Sequence, residues 1–292
     1  MVMLWVIRIL LVLWTLVSFG MILVDTVKHR DELDFKKGPL LFFIGMLVDF
    51  FDTWGIGCYA PNMTLFKFTN TCRDDLVPGT LNLAHTIPVA IEGILFMNFV
   101  RIDSLTLAVM LVASSAGAVV GSKIICKWNL QVVRIALGIG LIGVAVVTVA
   151  RTAGFGPFGT SGTELALRGG KLLIAVVVQF LLGALMIIGF GLYSPCIALC
   201  ALLGLNITAA FPIMMGSCGF LMNAAVHNFI REDKYDRTCN LFIMIGGTVG
   251  VVLAYFLIKY AFSLTVLSYI VCVVMVITAV KYFMDAKNTP VE

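Results

Sequence analysis

Long apolar runs dominate the chain, with short polar stretches between them. The runs fall at roughly 1–24, 39–60, 80–100, 105–126, 134–150, 172–205, 208–230, 239–258 and 262–284. Most approach or exceed the ~20 residues that a helix needs to cross about 30 Å of hydrocarbon. None alternates as a barrel strand would. Backbone groups in lipid must be satisfied inside their own element, so helices are predicted throughout. The expected fold class is an all-α polytopic membrane protein. The first run, "MVMLWVIRILLVLWTLVSFGMILV", contains Arg8 and leads into no small-residue cleavage site. It is read as a retained helix, not a secretory signal. The longest polar stretches are 25–38 and 151–171, and the second, rich in Gly, Ser and Thr, reads as a linker.

Two runs are interrupted in the same way. "GIGCYAPN" (Gly55 to Asn62) and "GFGLYSPC" (Gly189 to Cys196) share Gly-x-Gly-x-Tyr-x-Pro at an offset of 134 residues, and the same offset carries Pro78 onto Pro212. A tandem duplication follows. The expected organisation is a helix and cytoplasmic loop over 1–38, one repeat over 39–150, the linker over 151–171, a second repeat over 172–284 and a tail over 285–292. Each repeat is an interrupted helix plus three helices, and the first helix stands outside the duplication.

Composition agrees with lipid as the solvent. The 292 residues are 61% hydrophobic and 12% charged, with a mean hydropathy of +1.05, against about 25% charged in soluble domains. The net charge of +4 is too modest to suggest a nucleic-acid partner, and basic residues in such a chain chiefly set orientation. If each interrupted segment crosses, nine crossings and parallel repeats result. If each enters and returns as a hairpin, the repeats are inverted. Both arrangements satisfy the positive-inside rule with the C-terminus in the cytoplasm, which implies a multi-pass protein of the plasma membrane. The eight cysteines lie in or beside apolar runs, contain no Cys-x-x-Cys pair, and read as small packing residues; Cys196 and Cys200, one helical turn apart, read the same way. No metal or cofactor is expected, and no oligomeric state follows from the sequence.

The paired interruptions carry the candidate chemistry. Glycine lets the chain leave helical geometry, and proline begins a helix comfortably in its first turn. A half-helix starting near Pro61 or Pro195 leaves its first amides unpaired at the positive end of its dipole. Two such ends together suit an anion, and Gly/Pro-broken segments in corresponding halves are the sequence sign of a transporter's midplane site. The plainer alternative is that these residues only permit kinks and close packing. The substrate-binding candidates are Gly57, Tyr59, Ala60, Pro61, Asn62, Asn82 and His85 in the first half. In the second they are Gly191, Tyr193, Ser194, Pro195, Cys196, Ser217 and Asn223. Intramembrane carboxylates are functional candidates by default. Asp49 and Asp52 share a helical face, and Glu92 lies two turns from His85; Asp49, Asp52 and Glu92 are the candidates for proton coupling, with structural hydrogen bonding as the alternative. At the offset of 134, Asp49 maps to Gly183 and Asp52 to Met186, so the chemistry is expected to be asymmetric. His227, beside the charged loop Arg231 to Arg237, reads as surface-facing.

Other classes are less well supported. "DFFD" is an Asp-x-x-Asp pair such as prenyltransferases use to hold Mg²⁺ and diphosphate, but no second acidic cluster accompanies it. Zinc-protease, nucleophile-elbow and P-loop signatures are missing. A cation carrier or channel using Asp49, Asp52 and Glu92, and an intramembrane enzyme on a lipid diphosphate, stand as alternatives.

"GFGLYSPCIALCALLGLNITAAFPIMMGSCGF" and, less cleanly, "GIGCYAPNMTLFKFTNTCRDDLVPGTLNLAHT" resemble the TauE/SafE family of sulfite exporters and sulfonate permeases over about residues 39–284. The family's glycine triplet is here Gly-x-Gly followed by Cys58-Tyr59 or Leu192-Tyr193. The resemblance implies a secondary transporter, not an enzyme, for a small sulfur-containing anion: sulfite, thiosulfate or an organosulfonate such as sulfoacetate. The anion is the partner the resemblance implies; the lipid bilayer follows from composition, and the intramembrane acids Asp49, Asp52 and Glu92 make a proton a further candidate partner.

Overall fold

The computed structural model describes residues 2–99, 102–159, 162–257 and 265–289. Twelve α-helices account for most of them: α1 (Val2–Lys28), α2 (Gly38–Thr53), α3 (Tyr59–Thr69), α4 (Val77–Ala84), α5 (Thr86–Phe99), α6 (Ser104–Ile125), α7 (Leu130–Thr152), α8 (Gly169–Met186), α9 (Tyr193–Leu202), α10 (Ala210–Arg231), α11 (Arg237–Leu257) and α12 (Thr265–Lys287). Large apolar side chains such as Leu13, Val112, Leu173 and Phe256 point outward, as a lipid solvent requires. Among the described residues, seven helices are long and apolar enough to cross a membrane, or eight spans with the bent pair α4–α5.

Local sequence explains the boundaries. Asp103 and Asn129 cap α6 and α7 by accepting from the amides of Thr106 and Val132, the usual role of short polar side chains at an N-cap. α4 and α5 meet at a bend of 46°. Pro88, four residues beyond Ala84, can give no hydrogen bond to that carbonyl and its ring crowds it. The counterpart helix α10 has a proline only in its first turn, Pro212, and runs unbroken.

The duplication extends to every α-helix after α1. At the offset of 134, α2, α3, α6 and α7 fall on α8, α9, α11 and α12 to within three residues, and α4–α5 fall on α10. The breaks match bond for bond. Gly55 and Ile56 donate to the carbonyls of Asp52 and Phe51; Gly189 and Phe190 donate to those of Met186 and Leu185. This double bond is the Schellman ending of α2 and of α8, and it needs a left-handed residue; Gly55 and Gly189 supply φ of +93° and +91°.

Both broken segments turn back. The end of α3 returns to the face where α2 began: Cys239 Sγ meets the carbonyl of Thr71, while the neighbouring Thr238 accepts from the amide of Asp34. The end of α9 returns likewise to the start of α8, where Gly204 sits beside Lys171 and Glu164. The length of α8 would let it cross, yet it is one arm of a hairpin. α1, α4–α5, α6, α7, α10, α11 and α12 cross instead. α1 begins on one face, here the N-face, and α12 ends on the other, the C-face.

The repeats are inverted. Equivalent helices α7 and α12 run antiparallel, with Arg134 bonded to Asp285 at one end and Cys272 against Ala145 further along. Equivalents α5 and α10 do the same, pairing Gly93 with Met215 and Ala90 with Gly219. Each hairpin also packs on the other repeat: α2 lies parallel to α11 and α8 parallel to α6. Glycines make these approaches. A Cβ on Gly246 would stand 2.0 Å from the Phe42 carbonyl oxygen, and one on Gly117 would stand 1.9 Å from that of Phe180.

Candidate functional site

The two hairpin tips meet. Between them lies a cavity of about 40 Å³, enough for a few water-sized groups. Gly57, Cys58, Tyr59 and Ala60 line it from the first repeat, and their counterparts Gly191, Leu192, Tyr193 and Ser194 line it from the second, with Pro195 beside them. The cavity therefore sits on the pseudo-two-fold axis. Val144, Val147 and Thr148 of α7 displace it toward the N-face. Neither α3 nor α9 has a side-chain cap, so the first amides of both helices remain available near the cavity.

One pair on the axis is chemically unlike. Asp52 lines the cavity and so does its counterpart Met186. Asp52 is fully buried, and neither carboxylate oxygen has a hydrogen-bond partner among the described residues. The Tyr59 hydroxyl is also buried without one. An unpaired buried carboxylate is costly, which makes Asp52 a candidate to take a proton or a ligand.

Behind this wall the other acids are committed. Glu92 accepts from Thr53 Oγ1 at 2.6 Å and from the Tyr193 hydroxyl at 3.1 Å, so it joins both hairpins. His85 Nδ1 stands 2.8 Å from Asp49 Oδ1, and its Nε2 stands 2.7 Å from Asn62 Nδ2. With the amide in this orientation, Asn62 donates to Nε2 and His85 donates from Nδ1 to Asp49, a neutral imidazole. All of these groups are buried.

The sequence candidates thus separate into three sets. Gly57, Tyr59, Ala60, Gly191, Tyr193, Ser194 and Pro195 line the cavity with Asp52. Asn62, His85, Asp49 and Glu92 form the layer behind it, with Cys196 buried nearby on α9. The remainder lie elsewhere. Pro61 faces an apolar recess toward α12 with Ile270 and Val271. Asn82 turns its amide back to the Pro78 carbonyl. Ser217 accepts from Gln179, while the adjacent Cys218 is the one that lines the cavity. Asn223 donates to Thr15 of α1; it stands one turn past Gly219, on the face of α10 that receives the added helix. His227 is exposed.

Sequence reasoning passed over Cys58, Thr148, Cys218 and Met222 in the cavity wall. It also passed over Arg151, which donates to the Gly55 carbonyl at 3.0 Å. Thr148 and Arg151 carried a readable signal, since both interrupt the otherwise apolar end of α7. Arg151 falls in the residues assigned to the linker, but α7 continues through it to Thr152.

The faces are closed differently. On the C-face, buried Lys67 pairs with Asp74 at 2.6 Å and Asp285 at 2.7 Å, and lies over the Tyr282 ring; Arg134 pairs with the same Asp74. At the pseudo-equivalent N-face positions the chain has Ala201, Thr208 and Arg151, so no such cluster forms there.

Two groups of metal-ligand donors occur among the described residues. Asp49, Cys58 and His85 bring their donor atoms within 4.8 Å of one another, as do Cys72, Asp236 and Cys239. In the first, both His85 nitrogens are already engaged. In the second, Asp236 caps α11 through the Cys239 amide. All eight cysteines are free thiols and buried. Comparison with protein-family models, curated proteins and solved structures gave no match.

Proposed function

We propose that this membrane protein is a secondary transporter of a small sulfur-containing oxyanion, moved together with a proton. The observation that carries the reading is the meeting of two inverted, uncapped helix N-termini at one cavity that also holds the unpaired carboxylate of Asp52. Amides at helix starts favour an anion, and an anion and an ionised Asp52 repel one another across so small a space. Protonation of Asp52 and anion binding therefore favour each other, which is thermodynamic coupling. Arg151 at the N-face rim adds positive potential along the approach. The resemblance to the TauE/SafE family supports sulfite, thiosulfate or an organosulfonate as the anion. The excess of Lys and Arg on the C-face supports a cytoplasmic C-terminus in the plasma membrane.

One observation favours a second reading, a cation carrier: Asp49, Asp52 and Glu92 are grouped in one region with Cys58. Proteoliposomes separate the two. Labelled thiosulfate or sulfoacetate should accumulate when the outside is acidic, and should not when the gradient is collapsed. Accumulation of an alkali or divalent cation, indifferent to added sulfur anion, would replace the proposal with the second reading.

A further inference from the structure

α1 belongs to neither repeat and covers the bundle incompletely. It is held to α10 by Asn223 and to α5 by Arg8, whose guanidinium reaches the Met97 carbonyl. Along its flank, between α6 and α10, runs an apolar groove of about 720 Å³ whose walls include Leu13, Trp14, Val112, Ala116 and Phe220. A second recess of about 540 Å³ continues it to the C-face, the two meeting at Val17. There the lining changes character, to Lys28 at the end of α1 and His227 and Arg231 at the end of α10. Asp25 also lines the recess, but its carboxylate accepts from Tyr235 and from Arg237 Nε. The cationic ends of Lys28 and Arg231 are thus not neutralised by it; the exposed Arg231 has Glu232 at 3.6 Å.

Length and charge fit one kind of occupant. From Val17 to Lys28 is eleven residues of helix, about 16 Å, close to half the ~30 Å hydrocarbon thickness. That is one leaflet, with the basic cluster at headgroup depth. Basic recesses between transmembrane helices at this depth suit anionic phospholipid headgroups. We infer that the groove between α1, α6 and α10 is a binding site for one anionic phospholipid of the C-face leaflet, its phosphate held by Lys28, Arg231 and His227 and an acyl chain lying along α1 past Val17. The site is separate from the cavity between the hairpin tips, so the inference does not rest on the transport reading.

The test is thermal unfolding and native mass spectrometry of the delipidated full chain in detergent. The probes are phosphatidylglycerol, phosphatidylcholine with the same chains, and glycerol 1-phosphate. Phosphatidylglycerol should raise the melting temperature by about 5 °C at saturation and add one bound lipid per chain; the other two probes should do neither. The double variant Lys28→Gln/Arg231→Gln should lose the shift, and so should Ala116→Phe, which fills the apolar part and keeps the charges. Melting of both variants without lipid should match the parent, since these side chains are exposed. Equal stabilisation by phosphatidylcholine, an undiminished shift in either variant, or a full response to glycerol 1-phosphate would overturn the inference. So would a second copy of the chain, in place of lipid, in the mass spectrum.

Discussion

Asp52 is the residue on which the proposed coupling turns. A carboxylate facing two helix N-termini would ordinarily take hydrogen bonds from them; here it has none among the described residues. Asp52→Asn keeps the shape and removes the titration. Anion uptake into proteoliposomes should then lose its dependence on a proton gradient, while counterflow of the same anion persists. Tyr193→Phe breaks the bond that joins the second hairpin to Glu92; a single hydrogen bond contributes about 0.5–1.5 kcal/mol net. Its melting temperature should fall accordingly, and anion affinity should fall with it if the tips lose register. At this scale the sequence was legible where two copies could be compared. Of the shared positions, Gly57, Tyr59, Gly191, Tyr193 and Pro195 line the cavity, whereas Asn82, Ser217 and Asn223, chosen singly for polarity, bond to other partners. Polarity in an apolar run marks a hydrogen bond, and only tertiary contacts reveal with whom.

Elements are set by glycine more than by polarity. Gly117 and Gly246 let α6 approach α8 and α11 approach α2 until carbonyl oxygens occupy the space of a Cβ. Overpacking typically costs about 1–3 kcal/mol. Gly117→Val and Gly246→Val should each lower the melting temperature by several degrees, while Gly20→Val on α1, where nothing lies within 4 Å, should not. The N-face loops carry a gentler device. Arg168 bonds both carboxylate oxygens of Asp103 at the start of α6 and holds that carboxyl well below its usual range. A carboxyl whose folded pKa is depressed stabilises the fold above its unfolded value, near 3.9, and loses that contribution as pH falls through the folded one. With Arg168 58% exposed, solvent screens the pair and its contribution to stability is small. Arg168→Gln should melt slightly below the parent at pH 7, and the gap should close on acidification below about pH 4. The interruptions themselves were legible. Their hairpin form was not, because α8, a largely apolar helix of 18 residues, satisfies the length of a crossing; only packing against α6, and the return of α9 to Glu164, decides it.

For the whole molecule, the proposed transport needs alternating access, and inversion is compatible with it, since each hairpin enters from its own face and leans on the other repeat. The lysine cluster then marks the closed side. Lys67→Met removes two ion pairs on the C-face and leaves the N-face untouched. In a variant with Cys58 as its sole cysteine, a membrane-impermeant thiol reagent should reach that residue from the N-face. Adding Lys67→Met should raise labelling from the C-face about tenfold, equivalent to ~1.4 kcal/mol between the two states. The duplication was readable from five identities at one offset, and it carried the helical order of both halves. Whether the repeats were parallel or inverted was not readable, because the basic residues satisfied either; the antiparallel pairing of α7 with α12 decides it.

Central to the proposed function is that anion and proton share one cavity. The most direct measurement uses proteoliposomes loaded with a pH-sensitive dye at equal pH on both sides, to which sulfoacetate or thiosulfate is added outside. The expected result is acidification of the interior that tracks anion entry and disappears in Asp52→Asn. Anion entry with no acidification in the parent protein, or acidification unchanged in Asp52→Asn, would contradict it.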